Sequence, residues 1–135
     1  MLFRSSARAV VVDCADGRMV GGAVADYPSG ERGVLLDDRD PHLARQHPGD
    51  YFAALRLSVR GALDEAEREP GFSREQVVGI GTDTTGSTPL PVDASCRPLG
   101  MDPRFRDHLA AQAWLWKDHT GAEEIGRASC RERVY

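Results

Sequence analysis

The chain has 135 residues, 41% of them hydrophobic and 28% charged, and these fractions are typical of a folded globular domain. Its net charge of −4 provides no electrostatic attraction to nucleic acid or to an anionic membrane, and no apolar run approaches the ~20 residues of a membrane-spanning helix. We therefore expect a small-molecule partner, with neither nucleic acid nor a membrane involved.

The cysteines and the first residues indicate the compartment. Cys14, Cys96 and Cys130 are odd in number and too far apart for a CxxC pair. Neither a disulfide framework nor a metal site is therefore predicted. The segment 1–8 lacks the long apolar core of a secretory signal, so we expect the reducing cytoplasm.

A β-hairpin is predicted near the start of the chain. Ala9–Val12 is a short β-branched run, and the Asp-Gly pair at 16–17 supplies the positive φ that a tight turn requires. Met19–Tyr27 is predicted as the second strand, because the proline after it cannot donate a ladder hydrogen bond. Val34–Leu36 could add a third strand and complete an antiparallel meander.

The clearest helical pattern follows the hairpin. From Asp50 onward, apolar residues recur at spacings of three and four, and charged residues occupy the other faces. The apolar positions are Phe52, Leu55, Val59, Leu63 and Ala66. This pattern predicts an amphipathic helix that ends at Pro70-Gly71. Ser73–Gln76 has the S-x-x-Q form of a capping box and predicts one short helical turn.

Val77–Thr82 is predicted as the central strand of the fold. Gly79 and Gly81 would weaken this strand unless another backbone approaches them closely, and we interpret them in that way. Pro89 and Pro91 alternate in the segment that follows. Neither proline can donate to a ladder, so this segment is predicted as an edge or a bulged arm.

The segment Leu109–His119 fits two patterns. Its apolar residues can form a helical stripe, whereas Trp114 and Trp116 can share one face of a strand. Thr120–Glu123 has the T-x-x-E form of a capping box, which favours a short strand before a helix start at Thr120. Strands, a long helix and further strands in this order predict an α/β or α+β layer fold.

The loop after the predicted central strand has the residue types that bind polyols. Thr84, Thr85 and Ser87 provide hydroxyls that donate and accept, and Gly86 lets a ligand approach the main chain. The same residues are ordinary turn formers, so an unliganded turn is the alternative. The aspartates at 83 and 93 are interpreted as a strand end and a turn residue, not as catalytic bases.

The W-K-D-H-T string at 116–120 is the second candidate segment. Trp116 can form an aromatic wall of a sugar site or be a core residue whose indole N–H bonds to backbone. Lys117 and Asp118 can bind ligand hydroxyls or pair with each other at the surface. His119 is interpreted as a surface or structural residue, and His42, His47 and His108 have no carboxylate or cysteine at metal-ligand spacing.

Together, Gly79–Asp93 and Trp114–Thr120 resemble the sugar-contacting parts of the FGGY carbohydrate kinases. The resemblance covers residues 6–123 and is strongest over 78–120. It implies an α/β fold of the ribonuclease-H-like, actin-like ATPase type, here as an incomplete N-terminal FGGY domain. It also implies that Thr85, Gly86 and Ser87 face the sugar and that Trp116 forms an aromatic wall. With Lys117 and Asp118, whose side chains can bind ligand hydroxyls, these are the predicted substrate contacts.

By the same resemblance, the parent enzyme uses ATP and Mg²⁺ to phosphorylate a pentulose of the L-ribulose type, as in arabinose catabolism. Residues 6–8 match only the end of the phosphate hairpin of the family, D-x-G-T-x-S-x-R, so Ser6 and Arg8 are the predicted nucleotide contacts. The catalytic aspartate and the second domain of the family lie further along a full-length enzyme. We therefore assign no catalytic residue and no metal ligand, and we do not expect this chain to bind ATP well or to be active alone.

Residues 124–135 are predicted to be a non-native tail, because they lack apolar periodicity and look like the translation of a common DNA sequencing adapter. With the incomplete hairpin at the start, they indicate a fragment of a longer gene. Two alternatives stay open for the function: a xylulose or gluconate kinase, and a non-catalytic module that binds sugar without phosphoryl transfer. The resemblance also leaves open whether the parent enzyme is a homo-oligomer.

Overall fold

A computed structural model describes residues 5–84 and 86–122, and within these ranges it contains two small sheets and one long helix. The strands are β1 (Ser6–Val12), β2 (Met19–Asp26), β3 (Leu35–Asp37), β4 (Asp40–Gln46) and β5 (Ala113–Trp114), and the helix is α1 (Pro48–Ala66). Short 3₁₀-helices span Arg74–Gln76, Leu99–Met101 and Leu109–Ala111. This mixed arrangement confirms the α/β class at the coarse level. None of the described helices is long and apolar enough to cross a membrane.

The predicted hairpin is confirmed as an antiparallel pair of β1 and β2. Their register runs from Ser6 opposite Asp26 to Val11 opposite Gly21. The turn contains Gly17 at a φ of 77°, where glycine is favoured because it lacks a Cβ. The other three strands form a separate sheet in the order β3-β4-β5.

Helix α1 is confirmed, but its buried face is not the predicted apolar stripe. Phe52, Leu55 and Val59 are 60%, 51% and 40% exposed. Pro48 is buried at the start of the helix, and after it the buried residues recur every fourth position, with only Ala66 shared with the predicted stripe: Asp50, Ala54, Ser58, Ala62 and Ala66. Apolar spacing therefore identified the helix, whereas the residues that face the hairpin are the small ones.

Close approach between α1 and the hairpin explains why small residues are buried. A Cβ added to Gly21 would lie 2.3 Å from the carbonyl oxygen of Ala62 and 2.9 Å from the Cβ of Ala66. A Cβ added to Gly61 of the helix would lie 2.8 Å from the Cβ of Ala23. Larger side chains cannot be accommodated at these contacts, because interiors pack close to the density of organic crystals.

The predicted three-stranded meander is wrong. The third strand, β3, pairs with β4 and not with the hairpin, with Leu35 opposite Arg45 and Asp37 opposite Asp40. Strand β4 was not predicted, because its sequence, DPHLARQ, has neither a β-branched run nor clear alternation. It gains its regular structure from partners on both sides, since β5 pairs with it through Arg45–Trp114 and Gln46–Ala113.

The prediction of a central strand at 77–82 is also wrong for the described residues. This segment belongs to neither sheet, and Val78 and Ile80 are 86% and 89% exposed. A Cβ added to Gly79 or Gly81 would meet no atom within 4 Å, so the expected close approach of another backbone is not observed. Strand propensity depends on a neighbouring strand to satisfy the backbone groups, and no described segment fills that place.

Capping-box and turn patterns in the sequence after α1 predicted the local structure correctly. The predicted turn at Ser73–Gln76 is confirmed as a 3₁₀-helix in which the Ser73 N–H donates to Gln76 Oε1 at 2.9 Å. The proline arm lies outside the named strands, and its Val92 forms only an isolated bridge with Pro98. The turn at Asp93 is confirmed by the Ser95 N–H, which donates to its Oδ1 at 2.8 Å. The short strand before Thr120 is β5, whereas Glu123 of the predicted cap lies outside the described residues.

Candidate functional site

The two candidate segments meet at a backbone hydrogen bond. The N–H of Trp114 donates to the carbonyl oxygen of Pro89 at 2.9 Å. Ser87 is two residues before that proline, and Trp116 is two residues after Trp114. The hydroxyl-rich loop and the tryptophan segment, which are distant in sequence, are therefore neighbours in the fold.

The hydroxyl-rich loop is exposed. Thr84, Gly86 and Ser87 are all exposed, and Thr85 lies outside the described residues. Ser87 has a φ of 57°, which turns the chain sharply at this point. A Cβ added to Gly86 would meet no atom within 4 Å. The loop therefore leaves open space at its glycine.

Trp116 is 49% exposed, which disagrees with the alternative of a core tryptophan. Its neighbour Leu115 is 5% exposed and packs with Val34 and Ala44 in a small hydrophobic cluster. Lys117 is half-buried. The segment thus anchors itself through Leu115 and presents part of the Trp116 ring to solvent.

Asp118 pairs with a buried arginine and not with the adjacent lysine. Its side chain is 4% exposed and forms an ion pair with the equally buried side chain of Arg45. Asp118 Oδ2 also accepts from the Ala44 N–H at 2.8 Å, and Oδ1 accepts from the Thr120 hydroxyl at 2.5 Å. The alternative of a Lys117–Asp118 surface pair is therefore wrong, and the carboxylate is occupied by groups of the protein itself.

Arg45 is the residue of this site that the sequence did not reveal. Its guanidinium carbon lies 3.7 Å from the ring centroid of Trp114, and Nη2 donates to Thr120 Oγ1 at 3.4 Å. Burial lowers the pKa of the Arg45 guanidinium, yet arginine keeps its charge at neutral pH. Thr120 follows Arg45 by 75 positions, so no local pattern could have signalled these contacts.

Strand β4 also fixes the tryptophan segment by main-chain bonds. The N–H of Leu115 donates to the Ala44 carbonyl at 3.0 Å, and the N–H of His119 donates to the His42 carbonyl at 2.9 Å. These bonds bracket residues 116–118 on both sides. The position of Trp116 and Lys117 therefore depends on β4.

Ser6 and Arg8 do not form a nucleotide site by themselves, and no cluster of metal-ligating side chains is found among the described residues. Ser6 and Arg8 lie on β1, where Ser6 is half-buried and Arg8 is exposed. One hydroxyl and one guanidinium cannot surround a triphosphate, which other proteins bind with several backbone N–H groups and cations. Across 5–84 and 86–122, no group of three or more His, Cys, Asp or Glu side chains could hold a metal ion. The nucleotide contacts of Ser6 and Arg8 stay predictions.

Comparison with known proteins gives a consistent set of relatives. No family model matches the chain. The chain is 40% identical over 129 residues to a ribulokinase of Shouchella clausii, and the aligned residues cover 90% of this chain and 22% of that protein. Ribulokinases of Geobacillus thermodenitrificans and Vibrio parahaemolyticus are 37% and 34% identical over 88% and 90% of this chain, and 21% of each relative is covered.

The chain thus spans about a fifth of the length of the curated relatives that it matches. Several independent relatives carry the same name and align with nearly all of the chain. The resemblance that the two motifs indicated is therefore confirmed, and the chain is similar to one part of the ribulokinases.

Proposed function

We propose that this chain forms the sugar-binding part of a carbohydrate kinase that phosphorylates a pentulose of the L-ribulose type. The observation that carries this proposal is the Trp114–Pro89 hydrogen bond, because it joins the chain next to the hydroxyl-rich loop to the start of the tryptophan segment. The ribulokinase relatives support the same reaction class and the same small-molecule substrate.

Each proposed contact follows from the chemistry of a neutral polyol. The half-exposed ring of Trp116 offers an apolar wall to the C–H face of the sugar. Ser87 and Thr85 supply hydroxyls, Gly86 leaves the backbone accessible, and Lys117 donates to ligand oxygens. Asp118 contributes by fixing the segment, since its carboxylate already accepts from the protein.

The larger assignments rest on the resemblance alone. We propose a ribonuclease-H-like, actin-like domain over residues 6–123, with residues 124–135 as a tail outside it. The parent enzyme would use ATP and Mg²⁺ in the cytoplasm and serve arabinose catabolism, either as a monomer or as a homo-oligomer. Nucleotide contacts beyond Ser6 and Arg8 would come from residues other than those described.

Isothermal titration calorimetry of the full chain with L-ribulose tests this function. We expect saturable binding of L-ribulose, weaker binding of D-xylulose, and loss of binding in Trp116→Ala. Phe52→Ala is the matched control, because Phe52 is also an exposed aromatic, at 60%, but belongs to α1. Equal binding by the wild type and Trp116→Ala would contradict the proposed site, and tighter binding of D-xylulose would favour the other kinase specificity.

A further inference from the structure

A buried ion pair includes Asp118, in the same segment as Trp116, the proposed sugar wall. The side chains of Arg45 and Asp118 are each 4% exposed, and Asp118 is the second residue after Trp116. Thr120 completes the group, since its hydroxyl donates to Asp118 and accepts from Arg45. This group joins the last residues of β4 to the segment that carries Trp116 and Lys117.

A buried ion pair is seldom the arrangement that stabilises a fold most. Replacing such a pair with apolar residues of similar volume is often neutral or stabilising, because both charges must be removed from water. Its best-attested use is to select one arrangement of the segments that it joins. The Nε of Arg45 is buried and has no hydrogen-bond partner among the described residues, which adds to the cost of this arrangement.

We propose that Arg45 is a positioning residue for sugar recognition, which sets the orientation of Trp116 and Lys117 through Asp118. This inference rests on the proposed function, because it assigns a role to Arg45 in that same site. Arg45 touches no reacting atom. It acts by fixing the carboxylate of Asp118, which in turn bonds to the Ala44 N–H and the Thr120 N–H, at 2.8 Å and 3.2 Å.

Lysine could not replace arginine in this role. The guanidinium carbon lies 3.7 Å from the Trp114 ring centroid, and the same group forms the ion pair with Asp118, so one planar group contacts two residues of the segment. An ammonium group is a compact charge without this planar fork, and it would keep the ion pair but lose the defined orientation. A lysine variant therefore separates the charge of Arg45 from its geometry.

The test compares Arg45→Met and Arg45→Lys in the full chain, with Arg74→Met as the control. Arg74 also forms ion pairs, with Asp64 and Glu67, but these side chains are exposed. Two readouts are used under conditions where each variant is folded by circular dichroism: L-ribulose affinity from calorimetry, and the indole N–H signal of Trp116 from NMR spectroscopy. The chain has two tryptophans, so both signals can be assigned.

We expect Arg45→Met and Arg45→Lys to lower L-ribulose affinity at least tenfold and to shift or broaden the Trp116 signal, with Arg74→Met unchanged in both. Wild-type affinity and an unchanged Trp116 signal in a folded Arg45 variant would overturn the proposal. If neither Arg45 variant folds, Thr120→Val decides by the same two readouts, because it removes a hydroxyl from Asp118 and leaves the ion pair. If the wild type binds no L-ribulose, the proposed function fails, and the Trp116 signal alone still decides whether Arg45 positions the segment.

Discussion

The buried pair of Asp118 and Arg45 permits a quantitative prediction for Asp118→Asn. The substitution keeps the size of the side chain and an oxygen that can accept from Ala44, but it removes the negative charge. The guanidinium of Arg45 would then be a buried cation without a counter-charge. Removing one partner of a buried pair costs about 3–5 kcal/mol, so the loss should be at least about 3 kcal/mol.

Urea denaturation followed by circular dichroism measures this cost. With an m-value of about 1.5 kcal/mol per molar urea, a loss of about 3 kcal/mol lowers the midpoint by about 2 M. Glu69→Gln is the matched control, because the Arg18–Glu69 pair, at 3.3 Å, has side chains that are 55% and 44% exposed. Exposed pairs contribute about 0–1 kcal/mol, so this control should shift the midpoint by well under 1 M.

A double variant distinguishes loss of charge balance from loss of packing. Arg45→Met combined with Asp118→Leu should be more stable than Asp118→Asn alone, because no unpaired charge remains. The reasoning is refuted if Asp118→Asn unfolds within about 0.5 M urea of the wild type, since the pair would then behave like an exposed one.

Three further outcomes follow from the geometry. Gly21→Ala should lower the melting temperature clearly, because the new Cβ would lie 2.3 Å from a carbonyl of α1, whereas Gly22→Ala meets its nearest atom at 3.5 Å and should change it little. Gly86→Val and Gly79→Val should both preserve stability, since both positions face open space, but only Gly86→Val should weaken L-ribulose binding in calorimetry. Burial raises the pKa of Tyr51 to about 12. The stability that its neutral form provides is therefore complete below the ordinary pKa near 10 and is lost as the pH rises through about 12. Absorbance at 295 nm should show one tyrosine titrating that late, and this late titration should be absent in Tyr51→Phe.

Local signals in the sequence predicted local structure well. The hairpin followed from a β-branched run and an Asp-Gly pair, and the turn at 73–76 followed from its capping box. Helix α1 was predicted from apolar spacing, but its buried face was not. That face depends on close contacts with the hairpin, at Gly21 against Ala62 and Ala66 and at Gly61 against Ala23, where only small residues fit.

Predictions that needed a distant partner failed or were incomplete. The apolar segment 77–82 has strand propensity, but no described strand lies beside it. Strand β4 has little propensity of its own and forms because β3 and β5 pair with it. In the candidate site, Trp116 and Asp118 could be named from their motif, whereas Arg45 required knowledge of which strand lies beneath that motif.

The most direct test of the central claim is a chimeric kinase. Residues 6–122 of this chain would replace the matching segment of the Shouchella clausii ribulokinase, to which the chain is 40% identical. We predict that the chimera phosphorylates L-ribulose with ATP, and that Trp116→Ala in the chimera raises the KM for L-ribulose at least tenfold while the KM for ATP changes less than twofold. A folded chimera with no activity on L-ribulose, or one in which Trp116→Ala leaves the sugar KM unchanged, would contradict the account.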